Sequence, residues 1–144
     1  MTMTRLFLIA SFLFASVARA GEPDIASLYD LSTAGTSTAV KAGEKGKVVI
    51  SIAAKGGAHV SGDAPLKIEL SSKELKPEKE KLTLADSIGP KETDPHKLAP
   101  KFEVAFAAPK AGKASLEAKL TFFICTETAC NRQQKTLQLP VEVN

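Results

Sequence analysis

Tryptophan is absent from this 144-residue chain, tyrosine occurs once, and aromatic residues make up 6% of the sequence. A platform that stacks bases or sugar rings needs such side chains, so single-strand or carbohydrate binding is not expected. Blocks of like charge are also missing. Lysine and glutamate are interspersed, which gives nucleic-acid binding no electrostatic support. Cysteine and histidine occur twice each. Two thiolates need further ligands to hold a metal, and the only histidines, His59 and His96, are distant from them in sequence, so no metal site and no cofactor site is read. No apolar run reaches the roughly 20 residues of a membrane span. No convincing amphipathic helical period is found either.

What the chain does have begins with a leader. Met1 to Arg5 is a short segment with one positive charge, Leu6 to Val17 is apolar, and Ala18-Arg19-Ala20 supplies a small-x-small cleavage pattern. Residues 1–20 therefore read as a signal peptide cut after Ala20. No cysteine lies near the cut, which argues against a lipid-anchored form. The expected mature chain, 21–144, is a single exported domain, periplasmic or secreted, without a membrane span. Loss of Arg5 and Arg19 from the 19 basic residues leaves 17 against 16 acidic ones, almost neutral.

The mature sequence is a succession of short alternating segments, in which side chains one residue apart face opposite ways. Val48, Ile50 and Ile52 mark one strand, Leu66, Ile68 and Leu70 another, and Phe102, Val104 and Phe106 a third. Leu82 and Leu84 suggest a short strand, and His59-Val60 an extended piece. The segment Ile25 to Leu31 reads as a helical turn or an irregular edge strand. Lys73 to Lys81 reads as a charged connection. Residues 86–100, with Gly89, Pro90, Pro95 and Pro100, read as a long loop without regular elements. The longest strand runs from Ala114 to Ile124, with Leu116, Ala118, Leu120, Phe122 and Ile124 on its apolar face. After a polar link at residues 131–134, Leu137, Leu139, Val141 and Val143 mark the last strand. Pro140 lacks an amide donor, so that strand should lie at an edge or pair on one side there. Six or seven such strands predict an all-β, immunoglobulin-like antiparallel β-sandwich.

The chemistry-bearing residues are Cys125 and Cys130, at the end of the long strand. Cys125 continues its mostly polar face, which puts the thiol at a sheet end and outside the middle of the core. In an oxidising compartment two such thiols pair. A bridge closing so short a segment cannot join two sheets as an immunoglobulin disulfide does. It also contributes only about 2 kcal/mol by loop closure, against about 4.7 for a 100-residue loop. Stabilisation is thus a modest reason for its presence, and a tight, exposed ring is the kind that reduces readily. Two readings stand at this point: a thiol-exchange site and a hairpin staple.

The run Phe122-x-x-Cys125, a short polar gap, Cys130 and a closing Leu-x-Leu-x-Val-x-Val strand resembles the N-terminal domain of the DsbD-type thiol:disulfide interchange proteins. The segment Ala58-His59-Val60 to Leu70, and the long loop before Phe102-Glu103-Val104, are similar to it as well. The resemblance implies an immunoglobulin-like module whose Cys125–Cys130 pair passes electrons between a thioredoxin-like or membrane interchange protein, acting in trans, and periplasmic thiol proteins. It also implies a cap over the pair, for which residues 86–100 are the candidate. Asn131-Arg132-Gln133 departs from the proline-rich segment common in that family, and the cap candidate has no Phe, Tyr or Trp. The alternative is an exported, non-enzymatic binding or assembly domain whose disulfide pins a hairpin. Around the pair, Glu127 and Arg132 read as solvated charges, and Phe123 reads either as a ring that packs over the disulfide or meets a partner, or as an ordinary sheet-end aromatic. His59 reads as structural and His96 as an exposed loop residue.

Overall fold

The computed structural model describes residues 24–144, so the expected signal peptide and its cut lie outside the described residues. Two β-sheets face each other across one apolar core. The first contains β1 (Tyr29–Ser32), β3 (Lys45–Ala54), β8 (Lys101–Ala107) and β6 (Lys76–Pro77), in the order β1-β3-β8-β6. The second runs β2-β10-β9-β5-β7, with β2 (Ala39–Val40), β10 (Cys130–Val143), β9 (Gly112–Cys125), β5 (Lys67–Ser71) and β7 (Lys81–Thr83). The short β4 (His59–Val60) pairs with the end of β9 beyond β5. This is an immunoglobulin-like β-sandwich: β1-β3-β8-β6 takes the place of the four-stranded sheet and β5-β9-β10 that of the three-stranded one. The pairs are antiparallel except β2 with β10, which run parallel at Ala39–Glu142 and Val40–Val143.

The alternation read from the sequence becomes the inner face of each strand. Ile50, Ile52, Phe102, Phe106, Ile68, Leu116, Leu120, Phe122 and Ile124 are all essentially inaccessible to water. Each such side chain contributes about 1.5–3 kcal/mol relative to an exposed one. Gly46 gives Phe106 its room, because a Cβ there would fall 2.4 Å from the ring. Val49, on the outer face of β3, is buried outside the core. The loop before β2 folds over it, with Thr36 Oγ1 accepting from Val49 N at 2.9 Å and donating to Val49 O at 3.0 Å.

The structure revises or settles the sequence reading in three segments. The polar link at 131–134 is strand: β10 starts at Cys130 and pairs with β9 along its whole length, from Cys130–Cys125 to Val143–Gly112. The inner face of β10 is polar at Asn131, Gln133 and Lys135 before it becomes apolar at Leu137, which hides the strand from a hydrophobic pattern. The Lys73–Lys81 connection crosses between sheets. Its Leu75 is buried, Ser72 Oγ accepts from Leu75 N and donates to Ser115 O, and Lys76–Pro77 pairs with β8. The Ile25–Leu31 segment is both of its alternatives, a 3-10 turn at Ile25–Leu28 leading into β1. There Tyr29 meets Phe122 edge-on at 5.1 Å and donates its hydroxyl to Gln133 Oε1, tying β1 to the polar half of β10. Pro140 behaves as expected, with β9 on one side and, among the described residues, no strand on the other.

Candidate functional site

The β9–β10 hairpin turns through Thr126-Glu127-Thr128-Ala129. Thr126 N donates to Ala129 O at 2.8 Å, and the Thr126 hydroxyl accepts from the Thr128 and Ala129 amides, so one side chain organises the turn. Thr126 and Ala129 form a hydrogen-bonded pair, which makes the next pair, Cys125 and Cys130, a non-hydrogen-bonded one. Their Cα atoms are 4.0 Å apart and their sulfurs are bonded. On the other side of β9, His59 is the register partner of Cys125. Residues opposite each other in a sheet share a face, so His59, Cys125 and Cys130 line up across three strands on the outer face of the second sheet.

The two halves of the disulfide are not equivalent. Cys125 is 2% exposed, whereas Cys130 is exposed. The sequence reading of Cys125 as outside the core holds, since it is not part of the inner cluster, but the residue is covered and of the two cysteines only Cys130 is exposed. Phe123 and its register partner Arg132 continue the same face, Phe123 half-buried and Arg132 exposed.

Residues 86–100 are tied down at several points. Asp86 closes a 3-10 turn (Leu84–Asp86) by accepting from Thr83 N, and Lys79 holds its other oxygen. Hydrogen bonding from Lys79 first, and from the Thr83 amide next, holds the Asp86 carboxyl below the usual range. Ser87 Oγ accepts from Lys101 N, and Ile88 N donates to Lys101 O. Leu98 packs on the core over Gly62, where any Cβ would come within 2.8 Å of it. Between these anchors a second 3-10 turn (Pro95–Lys97), capped by Asp94, carries His96 to His59. The two rings meet at a 4.3 Å centroid distance, nearly perpendicular, with their Nδ1 atoms 3.2 Å apart.

Two clefts flank the 126–129 turn. One, of about 520 Å³, is lined by Ile25, Gly56, Gly57, Thr126 to Ala129 and Asn131. The other, of about 530 Å³, lies between the turn and the loop and takes in His59, Asp94, His96, Lys97, Thr126 and Glu127. Glu127 belongs to both and is exposed. Sequence reasoning placed the two cysteines correctly at a strand end but missed that both histidines come to the same place. The signal was the Pro/Gly-rich loop itself, long enough to span from β7 to the tip of β9.

A cross-strand disulfide with one buried and one exposed cysteine can undergo exchange at the exposed one or can simply pin the hairpin. Among the described residues no set of three or more His, Cys, Asp or Glu is gathered for a metal ion. No described helix is long and apolar enough to cross a membrane.

No protein-family model matches the chain, and no curated protein does. Among solved structures it is similar to a conjugative transposon lipoprotein from Bacteroides eggerthii, at 12% identity and a TM-score of 0.40, over 78% of this chain and 96% of that one. It is similar also to a PapD-like domain of human CEP192, at 10% identity and 0.43, over 99% and 97%. A cohesin module of a Clostridium perfringens family 33 glycoside hydrolase gives 14% and 0.45, over 81% and 97%. These are distant likenesses, and no binding role passes from them to this chain.

Proposed function

We propose that this chain is an exported thiol–disulfide exchange module working through Cys125 and Cys130. The observation that carries the reading is the asymmetry of the bridge, an exposed Cys130 backed by a buried Cys125. A disulfide of this kind belongs to an oxidising compartment such as the periplasm. The thiolate of a reduced, thioredoxin-like partner attacks Cys130 Sγ and forms a mixed disulfide, and Cys125 leaves as the thiol. The partner's second thiolate then attacks its own sulfur in that bond and releases Cys130, so two electrons and two protons have moved to this chain. In the reverse half-cycle the Cys130 thiolate attacks the disulfide of an exported client and Cys125 resolves the intermediate. Residues 86–100 act as the cap beside the pair. The resemblance to DsbD-type N-terminal domains points the same way.

The test is the reduction potential of the folded protein, from equilibration in thiol buffers and counting of alkylated cysteines. A value of roughly −120 to −270 mV, the range of exchange proteins, is expected. A value below about −300 mV, that of structural bridges, would refute the exchange reading.

A second reading, a non-enzymatic binding domain, is favoured by the free edge of β10. Among the described residues its outer side meets another strand only at Glu142 and Val143, which leaves the rest of that edge for strand addition. Serine at both cysteines abolishes exchange under the first reading and leaves partner binding intact under the second.

A further inference from the structure

We propose that His59 and His96 are the protein ligands of a site for a divalent, imidazole-preferring transition-metal ion of the zinc, copper and nickel class. Two nitrogens bound at about 2.0–2.1 Å to one tetrahedral ion lie roughly 3.3–3.4 Å apart. The Nδ1 atoms of His59 and His96 are 3.2 Å apart, so both ligand atoms already sit close to that spacing. The rings stand at 79° to each other and so are not stacked, and their facing Nδ1 atoms share a hydrogen bond whose proton an ion would replace.

Both ligands are held before any ion arrives. His59 is fixed in β4 by its register with Cys125, and His96 by the Pro95–Lys97 turn, whose first amides Asp94 caps. The pair opens on the cleft between the loop and the hairpin turn, which has room for the water molecules that complete a coordination shell. Asp94 and Glu127 line the same cleft and offset the ion's charge, while the Lys97 ammonium beside them is turned to Asp94 at 3.9 Å. No third protein ligand is gathered among the described residues, so the ion keeps water at its remaining positions. With both imidazoles neutral, binding requires the shared Nδ1 proton to move to Nε2 of its own ring, with no net proton release. The ion joins the loop to the strand beside Cys125. If the exchange reading holds, it therefore secures the cap, but binding itself does not depend on that reading.

Calorimetric titration of the oxidised protein with zinc chloride tests the site. The cysteines of that form are bonded to each other and offer no thiolate. Saturable binding of one ion per chain is expected. His96→Ala, a change at an exposed loop position, is expected to weaken it by about tenfold or more, equivalent to at least roughly 1.4 kcal/mol. His59→Ala is expected to do the same. Unsaturable binding, or equal affinity in the wild type and the His96→Ala protein, would overturn the proposal. Circular dichroism of each variant confirms that the sandwich is intact, and neither result bears on the reduction potential.

Discussion

Cys125 and Cys130 stand opposite each other on β9 and β10, bonded through sulfur, yet only Cys130 is open to solvent. Single-serine variants separate the two thiols. The Cys125→Ser protein, with its thiol on β10, should react quickly with iodoacetamide under native conditions. The Cys130→Ser protein should react slowly until it is unfolded in urea, because a covered thiolate lacks access to the reagent. Equal native rates would remove the basis for assigning first attack to Cys130.

The same pair should add little to stability. A closed loop this short removes about 2 kcal/mol of unfolded-state entropy, while continuous β9–β10 pairing and the apolar core remain when the bond is cut. Reduction, or serine at both positions, should therefore lower the free energy of unfolding in urea by about 2 kcal/mol and leave the far-ultraviolet spectrum unchanged. Unfolding on reduction would make the bridge a structural requirement and favour the staple.

Much of the architecture was legible because period-two alternation is enforced by burial on one face. Val48–Ile52, Leu66–Leu70, Phe102–Phe106 and Leu116–Ile124 all became inner faces. The legible part stopped where tertiary context replaces that pattern. The first half of β10 runs polar on its inner side, with Gln133 held by the Tyr29 hydroxyl, so no apolar alternation announced it. Leu75 is a single core anchor inside a charged run, and Val49 is covered by a loop and not by a sheet. At the site, the cysteines were visible through their spacing. The meeting of His59 with His96 was not, because it depends on a loop path set by Leu98 over Gly62 and by the Asp94 cap.

Gly46 is the position where the core should be least forgiving of a single added methyl. A Cβ would lie 2.4 and 2.8 Å from two atoms of the fully buried Phe106 ring and 2.8 Å from Val40 Cγ1. The backbone of β3 and the ring cannot both stay in place. Overpacking of this type costs about 1–3 kcal/mol, so Gly46→Ala should lower the urea midpoint without changing the m-value. Gly43, where a Cβ meets nothing but where φ is +87°, should respond to alanine through backbone strain instead. A neutral Gly46→Ala variant would mean that the sheets separate more freely than the packing implies.

Asp86 sets the acid limit of the loop base. Its folded carboxyl titrates below its ordinary value because Lys79 and the Thr83 amide bind the charged form. The unfolded chain therefore takes up the proton first as pH falls. The stabilisation is complete above the unfolded value, close to 3.9, and disappears as pH drops through the lower folded one. Asp86→Asn removes the charge that Lys79 binds. The variant should be less stable than the wild type at neutral pH, with the gap closing in acid below about pH 4. Urea unfolding at a series of pH values from neutral to strongly acid measures that gap directly. A gap that stays constant into strong acid would show that the carboxylate's charge contributes nothing, leaving only its hydrogen bond to Thr83 as the hold on the turn that starts the loop.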